Sequence, residues 1–140
     1  MAGTNTARSK HYLENLGWRC WNTEQTIRIP GQFGNPPRMF KRDMFNFADL
    51  CCFNVALGLN ALVQTTSRSN QSSRIEKIKG LADADGWLRT QPMNRIYVHG
   101  WKKKKNGRWE VTITEIGLDG AVIPEGVICG VETPLFDEPF

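Results

Sequence analysis

The chain has 140 residues, 40% of them hydrophobic and 23% charged, with a net charge of +4 and a pI of about 9.0. That length suits one domain and that composition a globular fold, which excludes an extended disordered chain. No run approaches the roughly 18 uninterrupted apolar residues of a membrane helix, and the opening MAGTNTARSK has no apolar signal-peptide core, so no membrane partner and a cytoplasmic location are expected.

In chain order, TNTARSKHYLENLGW (4–18) predicts a helix. Thr4 or Thr6 caps it, Tyr12, Leu13 and Leu16 form its apolar stripe, and Gly17 ends it. WRCWNTEQTIRI (18–29) alternates like a strand, and PGQFGNPPR (30–38), with its prolines and glycines, is expected to be a loop. MFNFADLCCFNV (44–55) contains a strand, LGLN turns, and ALVQTTS (61–67) begins with the continuous apolar run of a buried central strand. A helix is expected over 69–89, followed by strands at 94–101 and 108–116 around a lysine-rich turn. The segment 117–140 carries three prolines and little apolar periodicity, so it is expected to wrap the core or hang loose. The order α-β-β-β-α-β-β implies an α/β fold, a mixed central sheet with helices on both faces and a right-handed crossover. One domain spans 1–140, with its core at about 4–116 and an extension from 117 to 140.

Cys20, Cys51, Cys52 and Cys129 show no C-x-x-C spacing, and neighbours in a strand point to opposite faces. Reduced, mostly buried thiols are therefore expected, not a zinc site or a disulfide frame. The positive charge is clustered. WKKKKNGRW (101–109) holds Lys102, Lys103, Lys104 and Lys105, and the 68–80 segment adds Arg68, Arg74, Lys77 and Lys79. Such clusters suit a polyanion such as DNA, although a lysine-rich hairpin turn also serves solubility alone. Trp101, beside Gly100, is a candidate for stacking on an unpaired base, or else a half-buried aromatic with its indole hydrogen-bonded. His99 has no second histidine at ligand spacing, which argues against a metal role.

The chemistry-bearing candidates are Glu24, Asp43, Asp49 and Gln64. Asp49, between Ala48 and Leu50, is an acid in an apolar strand, and a charge is rarely buried without a partner or a metal. Gln64 offers a carbonyl oxygen to a hard cation, or is a satisfied core amide. Asp43, after Lys41 and Arg42, serves equally as a turn residue or an ion-pair partner. Glu24 on its own reads as a surface acid.

Over roughly residues 4–101, this order and these residues resemble the PD-(D/E)XK nuclease superfamily, particularly small archaeal-type Holliday junction resolvases and related phage proteins. The resemblance implies an αβββαβ core and a metal site. Its early acid falls on Glu24, with Glu14 a weaker candidate. Its strand-opening aspartate falls on Asp49, and its third-strand (E/Q)-x-K motif on Gln64-Thr65-Thr66. Two departures stand out: Gln64 replaces the usual Glu, and Thr66 the usual Lys. A cation from the following helix, Lys77 or Arg74, is the expected substitute, with Arg68 nearer in sequence. The implied catalytic set is Glu24, Asp49, Gln64, Arg74 and Lys77. The implied metal set is Glu24, Asp43, Asp49 and Gln64, holding Mg²⁺ with Mn²⁺ able to substitute. The DNA-binding set is Arg68, Arg74, Lys77, Trp101 and Lys102–Lys105. The implied activity is metal-dependent endonucleolytic cleavage of branched DNA by a homodimer, in the host cytoplasm if the gene is phage-borne. The alternatives are a DNA-binding protein on the same fold without catalysis, or an interaction protein whose basic surface binds RNA or an acidic partner.

Overall fold

A computed structural model describes residues 4–131, without the side chains of residues 41 and 128–131. Helix α1 (Asn5–Asn15) begins where the Thr4 hydroxyl accepts from the Ala7 amide at 3.0 Å. It ends at Gly17, whose φ of +95° lies in the left-handed region that suits glycine. Strands β1 (Arg19–Asn22), β4 (Leu50–Asn54), β5 (Leu59–Ser67), β6 (Asn94–Lys103), β7 (Trp109–Ile116) and β8 (Val122–Val131) build a six-stranded sheet in the order β1-β4-β5-β6-β7-β8. Only β5 and β6 run parallel; their crossover carries α2 (Gln71–Lys79) and α3 (Ala82–Thr90). Strands β2 (Gln25–Ile29) and β3 (Arg38–Arg42) form a separate antiparallel ribbon.

The fold is α/β with helices on both faces of the sheet, and strand β5 shows why. Its side chains alternate. Leu62 packs with Ile78 of α2 and Ala84 of α3, whereas Ala61 and Val63 pack with Leu13 of α1. Both faces of β5 are therefore covered, and its apolar run reads continuously, as a central strand requires. The start of α2 comes unusually close to β6. Gln71 Nε2 donates to the Val98 carbonyl at 3.2 Å and the Thr112 carbonyl at 2.8 Å. A Cβ on Gly100 would lie 2.3 Å from Gln71 Oε1, so that position has room only for glycine.

Several expectations are corrected. The single strand expected at 18–29 is two strands, β1 and β2, which belong to different sheets. The Thr23 amide still continues the β1–β4 pairing, donating to the Asp49 carbonyl at 2.9 Å, and the chain turns just after it, where the Glu24 amide donates to Asn22 Oδ1 at 2.9 Å. The loop expected at 30–38 is present over 30–37 as the tip of the ribbon, and only Arg38 belongs to β3. The single helix expected at 69–89 divides at Gly80 and Leu81, whose amides turn back to Lys77 and Ile78. The extension joins the sheet as β8, and residues 132–140 lie outside the described residues. Cys20, Cys51 and Cys52 are free thiols, with Cys20 and Cys52 paired across β1 and β4 and their sulfurs 3.2 Å apart; the Cys129 side chain lies outside the described residues.

A polar chain ties α1 to the sheet. Trp101 Nε1 donates to Ser9 Oγ at 2.8 Å, and Ser9 Oγ lies 2.9 Å from His99 Nδ1. Burial pushes His99 down to about 3, so its ring is neutral near pH 7. The unfolded chain takes up a proton here below about pH 6.5 and the folded chain does not, so this site costs stability as pH falls toward 3. Ser9→Ala leaves the buried indole N–H without its acceptor and is expected to cost about 1–3 kcal/mol. Urea denaturation checks this, and an unchanged midpoint would contradict it.

Candidate metal centre

The ribbon places two of the candidate acids. Its last rung pairs Gln25 with Arg42, so Glu24 enters β2 and Asp43 leaves β3 side by side. The loop after Asp43 is tight. Phe45 and Asn46 have φ of +53° and +67°, the Asn46 amide donates to the Asp43 carbonyl at 3.1 Å, and Met44 and Ala48 bond each other. That loop delivers Asp49 to the head of β4, where the Thr23 bond fixes it next to Glu24. One carboxylate oxygen from each of Glu24, Asp43 and Asp49 lies within 4.8 Å of the other two. In an octahedral Mg²⁺ shell neighbouring oxygens stand about 3.0 Å apart and opposite ones about 4.2 Å, so the three carboxylates would have to draw inward to share one ion.

Asp49 is buried and held from β5. Its amide donates to the Val63 carbonyl at 2.8 Å, and Oδ2 accepts from Thr65 N at 2.8 Å, Thr65 Oγ1 at 3.1 Å and Gln64 Nε2 at 2.9 Å. Thr65 Oγ1 is in turn 2.8 Å from Thr6 Oγ1 of α1. Gln64 Nε2 also donates to the Thr65 carbonyl, so both amide protons are used on that side. Gln64 Oε1, by contrast, is buried without a hydrogen-bond partner among the described residues. An orphaned buried carbonyl is costly. A hard cation taking oxygen ligands would satisfy it and would neutralise the crowded carboxylates. Glu24, Asp43 and Asp49 thus form a group that could hold a metal ion, with Gln64 bonded to Asp49 beside it.

Asp49 is pushed up to about 7. Burial is the main cause and the Asp43 carboxylate adds to it, while the Thr65 amide opposes both.

The sequence-derived residues fall into three groups. Glu24, Asp43, Asp49 and Gln64 come together as expected, although Glu24 lies in the β1–β2 connection and not within a strand. Glu14 is exposed on α1 and takes no part in the cluster. Lys77 reaches the Asp43 loop, where its ammonium donates to the Asn46 carbonyl at 2.6 Å; Arg74 is one turn earlier on the same helix. Arg68 follows β5 and pairs with Glu110. Lys102–Lys105 are exposed around the β6–β7 turn. Because β5 and β6 are parallel and Ser67 is level with Trp101, this turn projects from the same end of the sheet as Gln64. Trp101 is a correction: only 2% exposed, with its indole bound to Ser9, it has no free face for a base.

The exposed aromatics at the site are Trp21 and Phe45, which the sequence reading passed over. With Glu24, Gln25, Arg42, Asp43 and Cys51 they line an open cleft of about 810 Å³. The alternation of Trp18 and Trp21 around β1 carried the signal: Trp18 is buried against α1, and Trp21 is 75% exposed. In comparisons with known proteins, no family model, no curated sequence and no solved structure matches this chain. Among the described residues, no helix is long and apolar enough to cross a membrane.

The raised Asp49 sets a pH dependence. Its folded state holds a proton that the unfolded state has lost above about pH 4, so the metal-free protein loses stability as pH rises toward and through 7. A cation binds the ionised form and displaces that proton. The rise in melting temperature on adding Mg²⁺ should therefore be larger at about pH 8 than at about pH 6. Asp49→Asn should remove most of it. An equal rise at both pH values would contradict the assignment of Asp49 as a ligand.

Proposed function

We propose that this chain is a Mg²⁺-dependent endodeoxyribonuclease of the PD-(D/E)XK kind, selective for branched DNA and acting as a homodimer. The observation that carries the reading is the convergence of carboxylate oxygens from Glu24, Asp43 and Asp49, with Gln64 bonded to Asp49 and its Oε1 buried without a partner among the described residues. Two further features support it. The cluster lies at the end of the sheet from which the lysine turn projects, so basic and metal-binding elements share a rim. The β6–β7 turn starts two strands across and five residues along from Asp49, roughly 20 Å away at ~4.8 Å per strand and ~3.3 Å per residue, a spacing a duplex backbone can bridge. Cys20 and Cys52, adjacent yet free, suit a reducing cytoplasm, the host's if the gene is phage-borne.

Each residue has a distinct task in this reading. A divalent cation, when bound, supplies an activated water and charge compensation at the scissile phosphate. Glu24, Asp43 and Asp49 offer carboxylate oxygens to it, and Gln64 offers an amide oxygen. Thr65, through its amide and hydroxyl, keeps the Asp49 carboxylate in one orientation. Lys77 supplies the positive charge that Thr66 lacks, with Arg74 second. Arg68 and Lys102–Lys105 hold the flanking phosphates, a screened and sequence-independent contribution.

A second reading, DNA binding without cleavage, is favoured by Thr66 and by the bond that holds the Lys77 ammonium on a backbone carbonyl. Cleavage of four-way junction, flap, linear duplex and single strands, with Mg²⁺, Mn²⁺ or EDTA, separates the two. Cutting of the junction with either metal and none in EDTA is expected. Asp49→Asn should lower single-turnover cleavage by about 100-fold or more, and Lys77→Ala by about ten-fold, on the order of 1.4 kcal/mol, with junction affinity little changed. Tight junction binding by the parent protein without cleavage in any metal would select the binding-only reading.

A further inference from the structure

The β2–β3 ribbon stands on the acid cluster and points away from it. Its paired length is about 16 Å at ~3.3 Å per residue. Arg28, Arg38 and Arg42 are exposed along it, and the sequence from 25 to 42 carries one more cation, Lys41, and no acid. Phe40 and Met39 are also open to solvent, at 47% and 62%. A two-stranded ribbon without a packed face is marginal by itself. The complementary occupant is a polyanion.

The tip is built, not frayed. Pro30, Pro36 and Pro37 flank it. A Cβ on Gly31 would lie 2.7 Å from the Asn35 carbonyl oxygen, so the chain there has room only for glycine. The Asn35 amide closes a turn onto the Gln32 carbonyl at 2.9 Å. The two central residues, Phe33 and Gly34, both have positive φ, +52° and +82°. This is the turn geometry that asparagine–glycine fills best. Instead a phenylalanine occupies the first position, in the left-handed region where a bulky side chain is strained, and it is 99% exposed. Neither turn stability nor packing accounts for an aromatic there. Strain retained at an exposed site points to function.

We infer that Phe33 is an apolar wedge that enters the opened base stack at a DNA branch point, with Arg28, Arg38 and Arg42 on the phosphates either side, an inference that rests on the branched-DNA reading above. Exposed apolar side chains on basic elements insert between base steps in this way, and an unpaired or unstacked base costs least to separate. Since Glu24 and Asp43 form the root of the same ribbon, seating its tip at the branch would fix how far from the branch the acid cluster meets the backbone.

The test is fluorescence anisotropy with a labelled four-way junction and a linear duplex of the same arm sequence, with Ca²⁺ in place of Mg²⁺. The key variant is Phe33→Asn, which removes the ring while giving the turn its preferred residue, so the melting temperature should hold or rise. Junction affinity should fall by about ten-fold or more while duplex affinity stays within about two-fold, and Phe33→Trp should bind the junction like the parent. Arg38→Ala should weaken both DNAs alike and flatten the salt dependence. Phe33→Asn binding the junction as tightly as the parent would overturn the wedge. An equal loss on junction and duplex would overturn it too, leaving the ribbon as a general DNA contact. In both cases, parent binding and cleavage would leave the nuclease reading standing. Failure of the parent protein to bind any DNA would overturn both.

Discussion

The structure around the candidate site depends on how one buried carboxylate is held. Asp49 Oδ2 takes hydrogen bonds from the Thr65 amide, the Thr65 hydroxyl and the Gln64 amide nitrogen. Those bonds lock the register of β4 against β5 at the point where both strands meet the rim of the sheet. They also spend both protons of Gln64 and leave its oxygen buried without a partner. With Asp43 beside it, the same carboxyl is raised to about 7. Burial, like-charge crowding and an orphaned oxygen each cost free energy, and a divalent cation relieves all three. A solvent-facing rung of the sheet would need none of them.

Much of this was legible in the sequence because it is local. The Thr4 cap and Gly17 stop bracket α1, the apolar opening of β5 marks a central strand, and an acid between Ala48 and Leu50 calls for a partner. The adjacency of Asp49 and Gln64 follows from the hairpin between β4 and β5. What the sequence hid is set by distant contacts. The break between β1 and β2 is the exception: Asn22, Thr23, Glu24 and Gln25 are four polar residues in a row, and the Glu24 amide turns back onto Asn22 Oδ1 where one sheet is left for another. Trp101, flanked by glycine and lysine, reads as exposed; Ser9, 92 positions away, and the packing of Tyr12, Val111 and Trp109 bury it. The prolines of the C-terminal extension disguise β8, which joins the sheet as an edge strand, the place that best tolerates proline.

The role of Gln64 is easier to understand in three dimensions. A glutamine beside Asp49 adds no charge to a cluster that already holds three carboxylates close together. Its nitrogen supports Asp49 while its oxygen remains for a ligand, two tasks that a carboxylate cannot perform at once. Lys77 approaches from α2 and rests on the Asn46 carbonyl, within the loop that carries Asp43.

The central claim is that Glu24, Asp43, Asp49 and Gln64 form one site for a divalent cation. The most direct measurement is a crystal structure of the protein grown with Mn²⁺, read by anomalous scattering. The account predicts a single strong peak bonded to oxygens of Asp49 and at least one of Glu24 and Asp43, with Gln64 Oε1 turned toward it, and loss of that peak in Asp49→Asn. A peak elsewhere, or none at millimolar Mn²⁺ and about pH 8, where Asp49 is ionised, would contradict it.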